Sequence, residues 1–192
     1  MEAKDFVDEL VARARKAQEE YEKFSQEQAD AIVRACAKAV YDNAEYLARL
    51  AVDETRMGVY EHKIQKNKGK AKVIWNSLKG KKSVGILSRN EETGITEIAR
   101  PVGVVGAVTP CTNPVVTPMC NAMFALKGLN AIIIGPHPRS KNTSYETVRL
   151  MNEAIAKLGA PKNLIQIIEE PTVELSSALM HAVDVVVATG GM

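Results

Sequence analysis

Between Pro101 and Met192 the sequence repeats one unit: a short apolar run, a turn, then a segment of helical periodicity. The runs are Val102 to Val108, Ala131 to Ile134, Leu164 to Ile168 and Val185 to Ala188. The helical segments cover about 115–127, 142–158 and 173–182. Runs this short, without polar alternation, read as strands buried on both faces. Strands of that kind separated by helices pack as a parallel sheet covered on either side, an α/β architecture. Open parallel sheets bind ligands beyond the carboxyl ends of their strands, so the turns after the strands are where chemistry is expected.

Upstream the texture differs. Residues 1–100 hold 19 Lys/Arg and 17 Asp/Glu against six of each in 101–192, which marks a boundary near Arg100-Pro101. Phe6, Leu10, Val11 and Ala14 recur at helical spacing, and "SQEQ" at 25–28 has the capping-box form before a second helix through Ile32, Val33, Cys36 and Val40. Asp42-Asn43 breaks that helix, a third runs to about Met57, Gly58 punctuates, and a fourth covers roughly Tyr60 to Leu78. From Val84, "VGILS" and "TEIAR" flank the polar "RNEETG" and read as a β-hairpin. The chain therefore divides into a helical segment at 1–83, a hairpin at 84–100 and the α/β region at 101–192.

Charge and cysteine usage narrow the function. A formal net charge of +2 gives no reason to expect a polyanionic partner. Lysines crowd the stretch from Lys63 to Lys82, but Ile64, Ala71, Ile74, Trp75 and Leu78 lie between them. This reads as a solvated helix face with one apolar stripe, not as a nucleic-acid surface. The apolar runs are too short to span a membrane, and Glu2, Asp5, Asp8 and Glu9 interrupt any leader-like pattern. Cys36, Cys111 and Cys120 are odd in number with no metal-like spacing, which suits a reducing cytoplasm and neither a disulfide framework nor a metal site. Cys36, at helical spacing from Ile32 and Val40, reads as core, and Cys120 as buried in an apolar helix.

Four strand-end turns remain as candidates. In "TPCTNP" at 109–114, two prolines stiffen the turn, and Pro114 suits the first position of the next helix. Asn113 either caps that helix, which the local sequence favours, or points its amide N–H₂ at a substrate oxygen. In "GPHPRSKN" at 135–142, Gly135 permits close approach of a ligand and prolines hold His137 extended. Arg139 and Lys141 bring positive charge near a helix start, a place for a phosphate or an adenosine ribose, or simply an exposed loop. "EEPTVE" at 169–174 reads as a solvated acidic turn with a ribose hydroxyl as the alternative, and "ATGGM" at 188–192 has the paired glycines that a phosphate-contacting turn needs. No G-x-G-x-x-G is present.

Taken together, "PVGVVGAVTPCTNPVVTPMCNAMFALKGLNAIIIGPHPRSK", "LGAPKNLIQII", "ELSSALM" and "VVVATGG" resemble the CoA-acylating aldehyde dehydrogenases. The similarity is to the CoA-dependent succinate-semialdehyde dehydrogenases and the aldehyde dehydrogenase half of the bifunctional aldehyde-alcohol dehydrogenases. "FSQEQADAIV", "VYDNAEYLA" and "ETRMGVYEHK" fit the same group, so the resemblance covers essentially the whole chain. It implies a Rossmann-like NAD(P) domain, incomplete here, and oxidation of an aldehyde with NAD or NADP and transfer of the acyl group to coenzyme A.

By the same resemblance, Asn113 is the oxyanion donor, and Thr109 and Pro110, with Cys111 and Thr112 in the same turn, border the nicotinamide. His137, Pro138 and Arg139 lie near the adenosine part of the cofactor or of CoA. Thr189, Gly190 and Gly191 match a glycine turn near the pyrophosphate. The hairpin at 84–100 is similar to the family's subunit-pairing extension, which implies a homo-oligomer, dimer or higher, in the complete protein. The family's nucleophilic cysteine belongs to a catalytic domain that follows the cofactor domain, beyond this chain. Cys111 does not match that position, and no basic residue lies within its turn to hold a thiolate. The chain alone is therefore expected to be inactive; a non-catalytic nucleotide-binding or assembly module is the alternative. Gly135-Pro136 stands where hydrolytic relatives have a lysine, which leaves NAD versus NADP open, with Arg139 a candidate partner for a 2′-phosphate.

Overall fold

A computed structural model describes residues 2–190. Four helices come first: α1 (Ala3–Tyr21), α2 (Gln26–Asp42), α3 (Ala44–Thr55) and α4 (Tyr60–Leu78). The capping box of α2 forms as its sequence demands, Ser25 Oγ accepting from the Gln28 amide at 3.3 Å and Gln28 Oε1 from the Ser25 amide at 2.8 Å. Arg56, in the left-handed region at φ 57°, ends α3, and Gly58 at φ 83° turns the chain into α4. The hairpin follows as β1 (Gly85–Asn90) and β2 (Ile95–Ala99), antiparallel, with Ile86, Ile95 and Ile98 exposed.

The apolar runs form β3 (Val104–Val108), β4 (Ala131–Gly135), β5 (Ile165–Ile167) and β6 (Val185–Ala188), joined through α5 (Val116–Lys127), α6 (Lys141–Ala156) and α7 (Val173–Ala182). All pairings in this sheet are parallel, in the order β5-β4-β3-β6. The chain thus winds outward from β3 through β4 to β5, then crosses back to lay β6 on the other side of β3. Right-handed crossovers in opposite directions put their helices on opposite faces. Accordingly α5 and α6 pack with α2, α3 and α4 on one side, while α7 packs with α1 on the other. Ile132, Ile133 and Ile134 at the middle of this sandwich are fully buried. Lys127, buried at the end of α5, pairs with Asp30 of α2 and so satisfies its charge inside the helical layer.

The structure departs from the sequence reading at strand ends. The first run begins at Val102, but β3 begins at Val104, because Asn130 Oδ1 accepts from the amides of Val102 (2.7 Å) and Gly103 (3.0 Å) and takes them out of the ladder. Within residues 2–190, β6 lies at the edge of the described sheet, with Val185 and Val186 39% and 40% exposed. Gly135 was expected to admit a ligand. A Cβ there would instead meet Leu179 Cδ2 at 3.2 Å, and one at Gly106 would meet Val183 Cγ2 at 2.8 Å, so both glycines let α7 and the residue after it approach the sheet.

One carboxylate ties three elements together. Asp184 Oδ2 accepts from the Val104 amide at 2.8 Å, and its two oxygens accept from Arg15 Nη2 at 2.9 and 3.1 Å, joining β6, β3 and α1. Gly103 makes room for it: at φ 117°, a Cβ would lie 2.3 Å from Asp184 Oδ2. Gly103→Ala is therefore expected to destabilise the fold by about 1–3 kcal/mol, through backbone strain and displacement of that carboxylate. Chemical denaturation of the variant beside the parent measures it.

Candidate active site at the strand ends

The reversal of winding direction at β3 leaves a crevice at the carboxyl ends of β3 and β6, the position where open parallel sheets take ligands. Backbone hydrogen bonds fix its floor. The Thr109 amide donates to Gly135 O and the Thr189 amide to Val108 O, each at 3.0 Å, so the chain leaves β3 with β4 on one flank and β6 on the other. Thr109 is buried, and its Oγ1 has no hydrogen-bond partner among the described residues. Gly190, at φ 151°, has open space where a side chain would stand. Gly191 lies outside the described residues.

The turn after Thr109 leads into α5 without a side-chain cap. The helix starts at Val116, so Pro114 sits before it, and although the Asn113 carbonyl accepts from the Thr117 amide at 3.2 Å, its side chain caps nothing. This overturns the capping role that the local sequence favours. Asn113 Oδ1 accepts instead from Lys66 Nζ, and its Nδ2 donates to Thr112 Oγ1 at 3.2 Å. Lys63 Nζ donates to the Thr112 carbonyl at 3.3 Å. The Cys111 thiol lies 3.8 Å from Met57 Sδ. A cleft of about 370 Å³ opens here between the turn and α4, with Met57, Gly58, His62, Lys63, Lys66 and Asn113 among the residues lining it.

Basic residues thus do reach this turn, from α4, although none lies within it. Burial, and secondarily the like charge of Lys66, lowers the pKa of Lys63, while the Cys111 sulfur opposes that shift. The sequence reading treated the α4 lysines as a solvated face and missed both. The available signal was spacing, since positions 63 and 66 are three residues apart and share a helix face. The apolar stripe is real but shallow: Ala71 is buried, while Ile74, Trp75 and Leu78 are only partly so.

The second candidate turn stands one strand away, at the end of β4. His137 Nδ1 accepts from the Arg139 amide at 3.1 Å, within a 3₁₀ turn at Pro138–Ser140, and Pro138 and Arg139 are exposed. The adjacent start of α6 already holds an anion. Glu54 of α3 accepts from the Asn142 and Thr143 amides at 2.9 and 2.8 Å and from Thr143 Oγ1 at 2.5 Å, and Lys141 pairs with Glu170. The amides that could have held a phosphate there are engaged by the protein's own carboxylate.

Comparison with known proteins places the chain in the aldehyde dehydrogenase family, whose pattern it matches over residues 1–192. It is 54% identical over 185 residues to the acetylating succinate-semialdehyde dehydrogenase of Clostridium kluyveri, covering 96% of this chain and 41% of that enzyme. It superposes with a TM-score of 0.92 on an acetylating aldehyde dehydrogenase of Geobacillus thermoglucosidasius, at 39% identity over 97% of this chain and 41% of the other. A propionaldehyde dehydrogenase of Rhodopseudomonas palustris, solved with bound CoA and an acylated cysteine, matches with a TM-score of 0.81 and 35% identity, over 96% of this chain and 42% of the other. The chain therefore corresponds to the N-terminal part of CoA-acylating aldehyde dehydrogenases, with an incomplete Rossmann-like sheet, and spans about two fifths of their length. No described helix is long and apolar enough to cross a membrane.

The thiols differ in readiness to react. Burial pushes Cys36 up to about 12 and Cys120 up to about 11, the charge of Lys70 partly opposing the latter. Iodoacetamide at about pH 8 is therefore expected to leave Cys36 and Cys120 unmodified in the folded protein and to alkylate both once it is unfolded, as read by peptide mass mapping. The unfolded chain ionises these thiols near 9.0, before the folded one does, so their contribution to stability is lost as pH rises above that value.

Proposed function

We propose that this chain is the N-terminal, cofactor-binding part of a CoA-acylating aldehyde dehydrogenase. The reaction is aldehyde + CoA–SH + NAD(P)⁺ → acyl–S–CoA + NAD(P)H + H⁺: the aldehyde hydrogen leaves as hydride, a carbon–sulfur bond forms, and the thiol proton is released. The observation that carries this reading is the side chain of Asn113, which caps no helix and stands in the turn that follows the central strand, with one amide N–H not used by Thr112. A donor there is positioned to stabilise negative charge as it develops on the aldehyde oxygen.

The crevice residues suit a nicotinamide dinucleotide. Thr109 Oγ1 is a buried polar atom that a bound group would satisfy, Pro110 stiffens the wall beside it, and Cys111 and Thr112 continue the border. Thr189 and Gly190 offer backbone at the end of β6 for a pyrophosphate, with Gly191 following, and His137, Pro138 and Arg139, in the turn after β4, are assigned to the adenosine part. When bound, the nucleotide supplies the hydride acceptor. Whether it is NAD or NADP turns on Arg139, because the start of α6 is closed by Glu54. Lys63 and Lys66 make the cleft beside Asn113 positive, which favours an aldehyde carrying its own anionic group. Succinate semialdehyde fits that description, and the similarity to the Clostridium kluyveri enzyme supports it.

The nucleophilic cysteine lies in sequence beyond residue 192 in this reading, so residues 1–192 alone have no turnover. The exposed isoleucines of the 84–100 hairpin pair subunits in a cytoplasmic homo-oligomer. The test uses the complete polypeptide that carries this chain, mixed with succinate semialdehyde, CoA and either nucleotide. Acyl-CoA and reduced nucleotide should form together, and Asn113→Ala should lower kcat about 10²- to 10³-fold with a smaller effect on KM. A complete protein of 20.9 kDa that binds nucleotide without turnover would instead support a non-catalytic module.

A further inference from the structure

An oxyanion donor works only if its N–H, and not its carbonyl oxygen, faces the substrate. Asparagine is nearly symmetric in shape, so something must decide which end points where. In the turn at 109–114 that decision comes from α4. An ammonium group has three donors and no acceptor, so the Asn113 amide atom beside Lys66 Nζ has to be the oxygen. The amide nitrogen is thereby directed to the opposite side, where one N–H meets Thr112 Oγ1 at 3.2 Å and the second has no partner among the described residues.

The neighbouring residue is held by the same helix face. Lys63 donates to the Thr112 carbonyl at 3.3 Å, its stem passing close to Gly58, where at φ 83° a Cβ would stand 3.0 Å from Lys63 Cε. Two lysines three residues apart thus grip two successive residues of the turn, one through the backbone and one through the side chain that matters. We propose that Lys66 is a positioning residue for the reaction, holding Asn113 by its carbonyl oxygen so that the amide N–H₂ is presented to the aldehyde oxygen. Its positive charge also polarises the amide in the direction that strengthens the N–H as a donor when the oxyanion forms. The inference rests on the assignment of Asn113 made above and adds the residue that orients it.

The experiment uses the complete polypeptide with two aldehydes, succinate semialdehyde and the uncharged butanal, at saturating CoA and nucleotide. Lys66→Met is expected to lower kcat about 10- to 100-fold on both substrates, because misorientation of the donor does not depend on substrate charge. Lys66→Arg, which keeps donors and charge, is expected to restore most of kcat. Asn113→Ala/Lys66→Met should be no slower than Asn113→Ala alone, because the lysine acts only through the asparagine.

A Lys66→Met enzyme that raises KM for succinate semialdehyde alone and turns over butanal normally would overturn the inference and make Lys66 a ligand for the substrate anion. Multiplicative losses in the double variant would overturn it as well. The two readings fail separately. A complete wild-type protein that reduces no nucleotide with either aldehyde removes the functional assignment and this inference with it. An active wild type with an unaffected Lys66→Met removes the inference alone.

Discussion

β3 is hydrogen-bonded on both edges, to β4 and to β6, and everything at the candidate site depends on that double pairing. A central parallel strand whose two neighbours are reached by crossovers in opposite directions cannot have helices over both sides of its carboxyl end, so a crevice opens there. The Thr109 and Thr189 amides, donating to β4 and β3 respectively, carry the pairing up to the lip of that crevice. The turn at 109–114 therefore leaves the sheet from its most rigid strand. Asp184 secures the opposite end of the same strand, so β3 is anchored where it enters the sheet as well as where it leaves.

Much of the fold was legible because burial imposes simple patterns. The boundaries of α4 and α7 agree with periodicity alone, and the capping box of α2 forms with its written partners. The limits of the reading lie where a residue's partner is distant in sequence. β3 loses two residues to Asn130, which lies 28 residues further along the chain than Val102. Gly135 looks like a place for a ligand to approach the backbone, but the approaching group is the protein itself, through Leu179, as it is at Gly106 through Val183.

The site was legible in part for the same reason. Its central turn follows a strand, and strands can be found from sequence, so Thr109 to Asn113 could be picked out as candidates. The orientation of Asn113 could not, since the lysine that sets it is 47 residues away on a helix that reads as ordinary solvated surface. Likewise, positive charge and a helix start at 139–142 suggest an anion site until Glu54, 88 residues before Asn142, is found on those amides. Local chemistry names the residue types that can act; long-range packing decides which of them have been used for something else.

The division of the chain into a helical segment that packs and a sheet that binds is accordingly too clean. α4 belongs to the helical segment, yet its lysines contact the turn that the sheet presents. The magnitudes make such a role reasonable. A charged hydrogen bond at a largely exposed position contributes about 1 kcal/mol, small beside the stability of a domain. Flipping an amide, however, is an equilibrium between two states of similar packing, and ~1.4 kcal/mol shifts such an equilibrium tenfold. An interaction too weak to matter for folding is strong enough to fix which end of Asn113 faces α4. The sheet sets where the asparagine stands, and α4 sets which way it faces.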